Sequence, residues 1–139
     1  MSYIAPYITR AEYECSCCHA LPPDLDKTRF VYDILFAKFK EIREEWGAPL
    51  QISSGYRCTK NNAEAGGKGI SAHLFGLALD INLPSVDEVN RLDTLIDILH
   101  PDLRRGTYTK NWTFIHIDVA WLIEPRATPD WVKGARWND

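Results

Sequence analysis

Nowhere in the 139 residues does an apolar stretch approach eighteen in a row, so nothing in the sequence would span a membrane as a helix. Positive charge is not in surplus either. The 16 Lys and Arg stand against 19 Asp and Glu, a net charge of −3, whereas a nucleic-acid-binding domain calls for a clustered basic face. The opening residues, MSYIAPYITRAEYECSC, lack a basic segment followed by an apolar one, so no secretory signal is expected. The expectation is synthesis in the cytoplasm, with any later release by another route. Internal repeats and low-complexity segments are also missing. What remains is ordinary globular composition, with 45% hydrophobic and 25% charged residues, and a length that suits one domain over 1–139 rather than two.

Thr9-Arg10-Ala11-Glu12 has the form of a capping box and predicts a short helical turn. From Lys27 to Trp46, the residues Phe30, Val31, Ile34, Leu35, Phe39, Ile42 and Trp46 recur at helical spacing. They predict an amphipathic helix that Gly47 ends and Pro49 keeps from continuing. Leu50 to Ser53 alternates as a short strand. Asn61 to Ala65 reads as one helical turn stopped by Gly66-Gly67, and the GGKG stretch as a loop free to approach the site. Ser85-Val86-Asp87-Glu88 caps a second helix, carried by Val86, Val89, Leu92, Leu95, Ile96 and Leu99 to about His100, whose imidazole suits a helix C-terminus. Pro101 to Asn111 reads as a polar turn region. The tail from Trp121, with Trp131, Trp137, Pro125 and Pro129, reads as an irregular cover over the sheet.

Residues 54 to 81, SGYRCTKNNAEAGGKGISAHLFGLALDI, concentrate polar, metal-competent and Gly residues and leave little room for core. At their end Leu77, Leu79, Ile81 and Leu83 alternate with Ala78, Asp80 and Asn82, the period of a half-buried strand, which puts Asp80 on the polar face. Phe114 to Val119 alternates likewise, with Ile115, Ile117 and Val119 on one face and His116 and Asp118 on the other. If the two strands are neighbours, His73, Asp80 and His116 converge, offering two nitrogens and a carboxylate oxygen with a fourth position open. That is the donor set of a catalytic zinc site. A hydrogen-bonded histidine pair with a strand-edge Asp satisfies the same spacing.

The string Ser54-Gly55-Tyr56-Arg57, then Asn62, Gly66-Gly67, Ser71-x-His73-x-x-Gly76-x-Ala78-x-Asp80-Ile81, and finally His116-x-Asp118 resembles the M15 zinc peptidases. This is the D-alanyl-D-alanine carboxypeptidase and phage endolysin group that shares its metal-site fold with the Hedgehog signalling domain. The resemblance spans about residues 9 to 119 and includes the opening Thr9-x-x-Glu12-Tyr13. It implies Zn2+ held by His73, Asp80 and His116. Arg57 would stabilise an oxyanion or grip a substrate carboxylate, with Ser71 and Tyr56 near the substrate. Better-known members carry an acid or histidine three residues before the last ligand, where this chain has Thr113. Asp118 then stands either as base or as the carboxylate that orients an imidazole, and Glu64 as a weaker candidate base.

These readings lead to a small α+β domain, with an antiparallel sheet bearing the zinc site on one face and helices on the other. The implied activity is hydrolysis of peptidoglycan stem peptides, as carboxypeptidase or endopeptidase, in a monomer that is phage-encoded and released to the cell wall or host-encoded. The rival is a phage or cell-wall structural or binding module that keeps the fold without cutting, a reading that Thr113 favours. Four cysteines stand apart from this scheme. Without a signal sequence, Cys15, Cys17, Cys18 and Cys58 are expected as ordinary thiols, and a structural metal on them, with His19 or Cys58 completing the set, is the alternative.

Overall fold

In a computed structural model of the chain, residues 2–64, 70–123 and 129–139 are described. The Gly66-Gly67 stop, the GGKG loop and Pro125 lie outside them. Elements alternate between short strands and two long helices: β1 (Tyr3–Ala5), β2 (Ile8–Thr9), α1 (Arg10–Tyr13), α2 (Arg29–Trp46), β3 (Gln51–Ser54), α3 (Thr59–Glu64), β4 (Ala78–Asn82), α4 (Val86–Leu99), β5 (Arg104–Tyr108), β6 (Phe114–Asp118) and β7 (Arg136–Asn138). Single 3-10 turns cover Ala72–Phe75 and Ala120–Leu122. No helix among the described residues is long and apolar enough to cross a membrane.

The capping signals act where the sequence places them. Thr9 accepts from the Glu12 backbone N–H while the Glu12 carboxylate accepts from that of Thr9, so two orphan donors of α1 are satisfied at once. Gly47 closes α2 in the left-handed region at φ 78°, where a side chain would be strained. The Ser85 hydroxyl accepts from the Glu88 N–H at the start of α4. The apolar stripes of α2 and α4, Leu35, Phe39, Ile42, Leu92 and Ile96, join Leu79, Ile81, Ile115 and Ile117 in one core.

The five-stranded sheet has the order β3-β4-β6-β5-β7. It is mixed, not antiparallel throughout: β3, β4, β6 and β5 pair antiparallel, and β7 joins β5 in parallel. Register sorts its side chains into rows, because residues directly opposite share a face. Leu79, Ile117 and Arg105 form one row toward the helices. Asp80, His116, Gly106 and Trp137 form a row on the other side, flanked by Ala78, Asp118 and Arg104 and by Asn82, Phe114 and Tyr108.

Two expectations fail here, for related reasons. The polar region after Pro101 contains a strand, β5, whose polarity is matched by partners on both faces. Arg105, fully enclosed on the helix side, donates from Nε to Asp93 and from Nη2 to Asp97, each at 2.9 Å, so α4 neutralises it. The tail does not stay irregular, since β7 completes the sheet and lays Trp137 across Gly106. A Cβ at Gly106 would collide with the indole ring, so this close approach requires glycine.

Candidate metal centre

Strand register alone brings Asp80 and His116 together, since they are direct partners on β4 and β6. His73 arrives from outside the sheet, on the 3-10 turn that Ser71 caps by accepting from the His73 N–H at 3.3 Å. Gly76 ends that turn at φ 72°, pressed against Pro22 and the Tyr13 hydroxyl, and the chain reverses directly into β4. Tyr13, fully buried, fixes both approaches: its hydroxyl donates to Gly76 O at 2.6 Å and its carbonyl accepts from Tyr56 N–H at 2.8 Å.

Each imidazole has one nitrogen engaged away from the centre. His73 Nδ1 is 2.6 Å from Gly55 O, an acceptor only, so that nitrogen carries the proton and Nε2 turns a lone pair toward Asp80 Oδ1, 3.2 Å away. His116 is held the other way round. Its Nε2 is 2.6 Å from Asp118 Oδ2, which leaves Nδ1 facing Asp80 Oδ1 at 3.0 Å. The rings meet edge to face, with centroids 5.0 Å apart. One donor atom from each of His73, Asp80 and His116 lies within 4.8 Å of the others. One inward nitrogen from each ring and a carboxylate oxygen, with outer hydrogen bonds fixing the rings, are what a zinc ion requires, so the residues fit the metal, which would take the place of the proton on His116 Nδ1.

Electrostatics reinforce the pairing. Burial works against ionisation of Asp80, yet the His73 and His116 rings hold its carboxyl well below the usual carboxylate range. Burial depresses His73. At His116 burial also opposes charge, but Asp118 and then Asp80 outweigh it and raise the ring to about 9 without metal. Asp118 is itself depressed, against its burial, by His116 and then Arg104. It is 1% exposed, and both oxygens are used: Oδ2 by His116, Oδ1 by Arg104 Nε at 2.8 Å and by Ala120 N–H at 2.9 Å.

The candidates named from sequence fall in different places. Arg57 donates to Ser54 Oγ and to Asp80 Oδ2, both at 2.9 Å, so it grips the oxygen of Asp80 that the histidines do not. Ser71 lines a cleft of about 540 Å³ over the centre, together with Arg57, His73, Asp80, His116 and Asp118. Tyr56 does not line it. The ring packs half-buried against the core, because its backbone is drawn to Tyr13. Glu64, exposed on α3, is also outside the lining, and the Thr113 hydroxyl is turned to Leu83 O at 2.5 Å.

Sequence reasoning missed the cleft's second wall: Arg104, Tyr108, Asp130, Trp131, Arg136 and Trp137. Tyr108 stacks on Phe114 with centroids 4.4 Å apart and accepts from Trp137 Nε1 at 2.7 Å. Arg104 reaches Asp130 O at 2.5 Å and so ties the tail to the sheet beside Asp118. The available signal was the alternation of Arg104, Gly106 and Tyr108, obscured by its lack of aliphatic residues.

Comparison with known proteins adds the family. No curated protein sequence matches the chain significantly. A family model, Peptidase M15, matches residues 6–118, a span that holds His73, Asp80 and His116 and ends at Asp118. The chain belongs to the M15 peptidases, a zinc-dependent peptidase family.

Proposed function

We propose that the chain is a zinc metallopeptidase that hydrolyses peptide bonds in bacterial peptidoglycan stem peptides. The observation that carries the metal assignment is the opposed bracing of His73 at Nδ1 by Gly55 O and of His116 at Nε2 by Asp118, which turns the other nitrogen of each ring toward Asp80 inside a cleft. Bound zinc would polarise the scissile carbonyl and acidify a water toward a pKa of about 7. The chain's own residues do the rest. Asp118 keeps His116 in the ligating tautomer, and Arg57 holds Asp80 by the other oxygen while presenting a cation to the cleft. Arg104 and Arg136 also line the cleft, ion-paired with Asp118 and Asp93 at 2.8 Å each. Trp137, Tyr108 and Phe114 form an apolar wall that would shield the reacting bond from bulk water.

Of the two roles open to Asp118, we assign positioning, because an enclosed carboxylate with both oxygens engaged is poorly placed to take a proton from water. Among the described residues Asp130 is the remaining carboxylate in the cleft lining, and we take it as the acid–base candidate.

The test is zinc content and muropeptide digestion with wild type, His116→Ala and Asp130→Asn. The expected result is zinc bound at this centre and turnover in wild type, loss of both in His116→Ala, and retained zinc with a fall in kcat of about 100-fold or more in Asp130→Asn. Zinc bound at this centre without cleavage of any stem-peptide linkage would support the rival binding module. Absence of zinc there after zinc is supplied would remove the metallopeptidase reading.

A further inference from the structure

A second cluster of metal-competent side chains lies apart from the cleft. We propose that Cys15, Cys17, Cys18 and Cys58 form a four-thiolate structural zinc site that staples the segment after α1 to the loop bearing Arg57. One sulfur from each lies within 4.8 Å of the others. Cys17 Sγ is 3.2 Å from Cys58 Sγ and 3.5 Å from Cys15 Sγ. Such separations are far beyond a disulfide bond of about 2.05 Å. They approach the edge of a sulfur tetrahedron built on Zn–S bonds of about 2.3 Å, which is about 3.8 Å.

The local chain is shaped to gather these sulfurs. Cys15 and Cys18 stand at C-x2-C spacing, and a reversal draws them together: the His19 N–H donates to Cys15 O at 2.7 Å, and the Cys15 N–H to Ala20 O at 2.9 Å. His19 takes the left-handed conformation at φ 59° that this turn needs. Its ring is directed away, with Nδ1 2.6 Å from Glu14 Oε2, so all four ligands are sulfur and His19 is excluded from the set. Backbone amides approach two of the sulfurs, Cys58 N–H to Cys15 Sγ and Asn61 N–H to Cys58 Sγ, each at 3.4 Å. Donors of this kind offset the charge of metal-bound thiolates. A closed set of four soft ligands, with no open position, is the pattern of a structural zinc site.

The site joins Cys15 to Cys58, 43 positions apart in the chain. It sits beside Arg57, so it would fix where that guanidinium emerges without contacting substrate. Nothing in this inference depends on the His73 centre.

The experiment therefore uses the full chain carrying His116→Ala, purified with reductant and supplied with zinc. The expected result is about one zinc per chain, lost when Cys17→Ser and Cys18→Ser are added. In the same His116→Ala chain, cobalt exchange should produce the intense near-ultraviolet sulfur-to-cobalt absorption that only thiolate ligation gives. That reading stands even if the cysteine variants fail to fold. Four reactive thiols with no bound metal, or two disulfides, would overturn the proposal, as would iron in place of zinc. A failed peptidase assay would leave the zinc count in this variant unchanged, so the two conclusions fail separately.

Discussion

The two ligand clusters are built by opposite means. His116 and Asp80 face one another because two strands are in register, and each group that would touch a metal is already braced by another residue. The cysteines sit on a turn and on the residue before α3, two of them exposed, and the two segments are joined by a few local hydrogen bonds, such as Asn61 Nδ2 to Ser16 Oγ at 2.9 Å, rather than by strand register. The difference predicts how each responds to metal. A centre assembled by a sheet should keep its shape when emptied, whereas one assembled from loops should hold its shape only when filled.

Gly55→Ala should blur that contrast most. A Cβ there would lie 2.7 Å from Tyr13 O and 2.9 Å from its Cα, backbone that cannot swing aside. Gly55 O also orients His73, and Cys58 follows three residues later. The expected cost is about 3 kcal/mol in chemical denaturation, with weaker zinc binding at both clusters. A loss confined to one of them would show that Tyr13 does not couple the two.

Asp118→Asn should sharpen the contrast. It keeps the shape but removes the charge that holds His116, and zinc affinity at the sheet-built centre should drop about 10- to 100-fold. Metal on the cysteines should be untouched in competition with a chelator. Equal zinc affinity before and after would remove Asp118 from the site's support.

Thr9→Ala removes half of the capping box on α1. Thermal melts should record a loss of about 1 kcal/mol, with wild-type zinc affinity at His73, Asp80 and His116. A large fall in that affinity would mean the sheet centre leans on α1 more than its own bonds suggest.

The last effect is in pH. In metal-free protein His116 is raised to about 9, above its unfolded value of about 6.5. Its charge therefore stabilises the fold fully below about pH 6.5, and that contribution fades as pH rises through about 9. His73, depressed by burial, acts in the opposite sense and at lower pH. The melting temperature of stripped protein should fall from pH 6.5 to 9, and zinc bound at His116 should flatten the slope by replacing the proton. Identical slopes with and without zinc would place the metal elsewhere.

How much of this was legible in the sequence varied with the signal. His73, Asp80 and His116 could be grouped because Leu79 and Ile81, and Ile115 and Ile117, mark the core faces of two strands and so fix where the polar residues go. The caps at Thr9, Gly47 and Ser85 were readable because they act locally. Strand β5 was hidden because its inward residue is Arg105, whose counterions Asp93 and Asp97 lie on another element. The parallel pairing of β7 was hidden too, since Trp137 packs on a glycine and so leaves no partner side chain to read. Tyr56 belongs to the motif by position, but its orientation is decided by Tyr13, 43 residues earlier.

The opposed tautomers carry one more consequence, for chemical mimicry. A carboxamide places its terminal atoms where one imidazole nitrogen stood, with Asn reaching the nearer nitrogen and Gln the farther. His116 faces the centre with its nearer nitrogen and His73 with its farther one. Asn at 116 and Gln at 73 are thus the shape-preserving exchanges, while the reverse pair would point each amide at the wrong neighbour. Two residues of the same type in one site obey different substitution rules, set by which edge of the ring Gly55 and Asp118 hold.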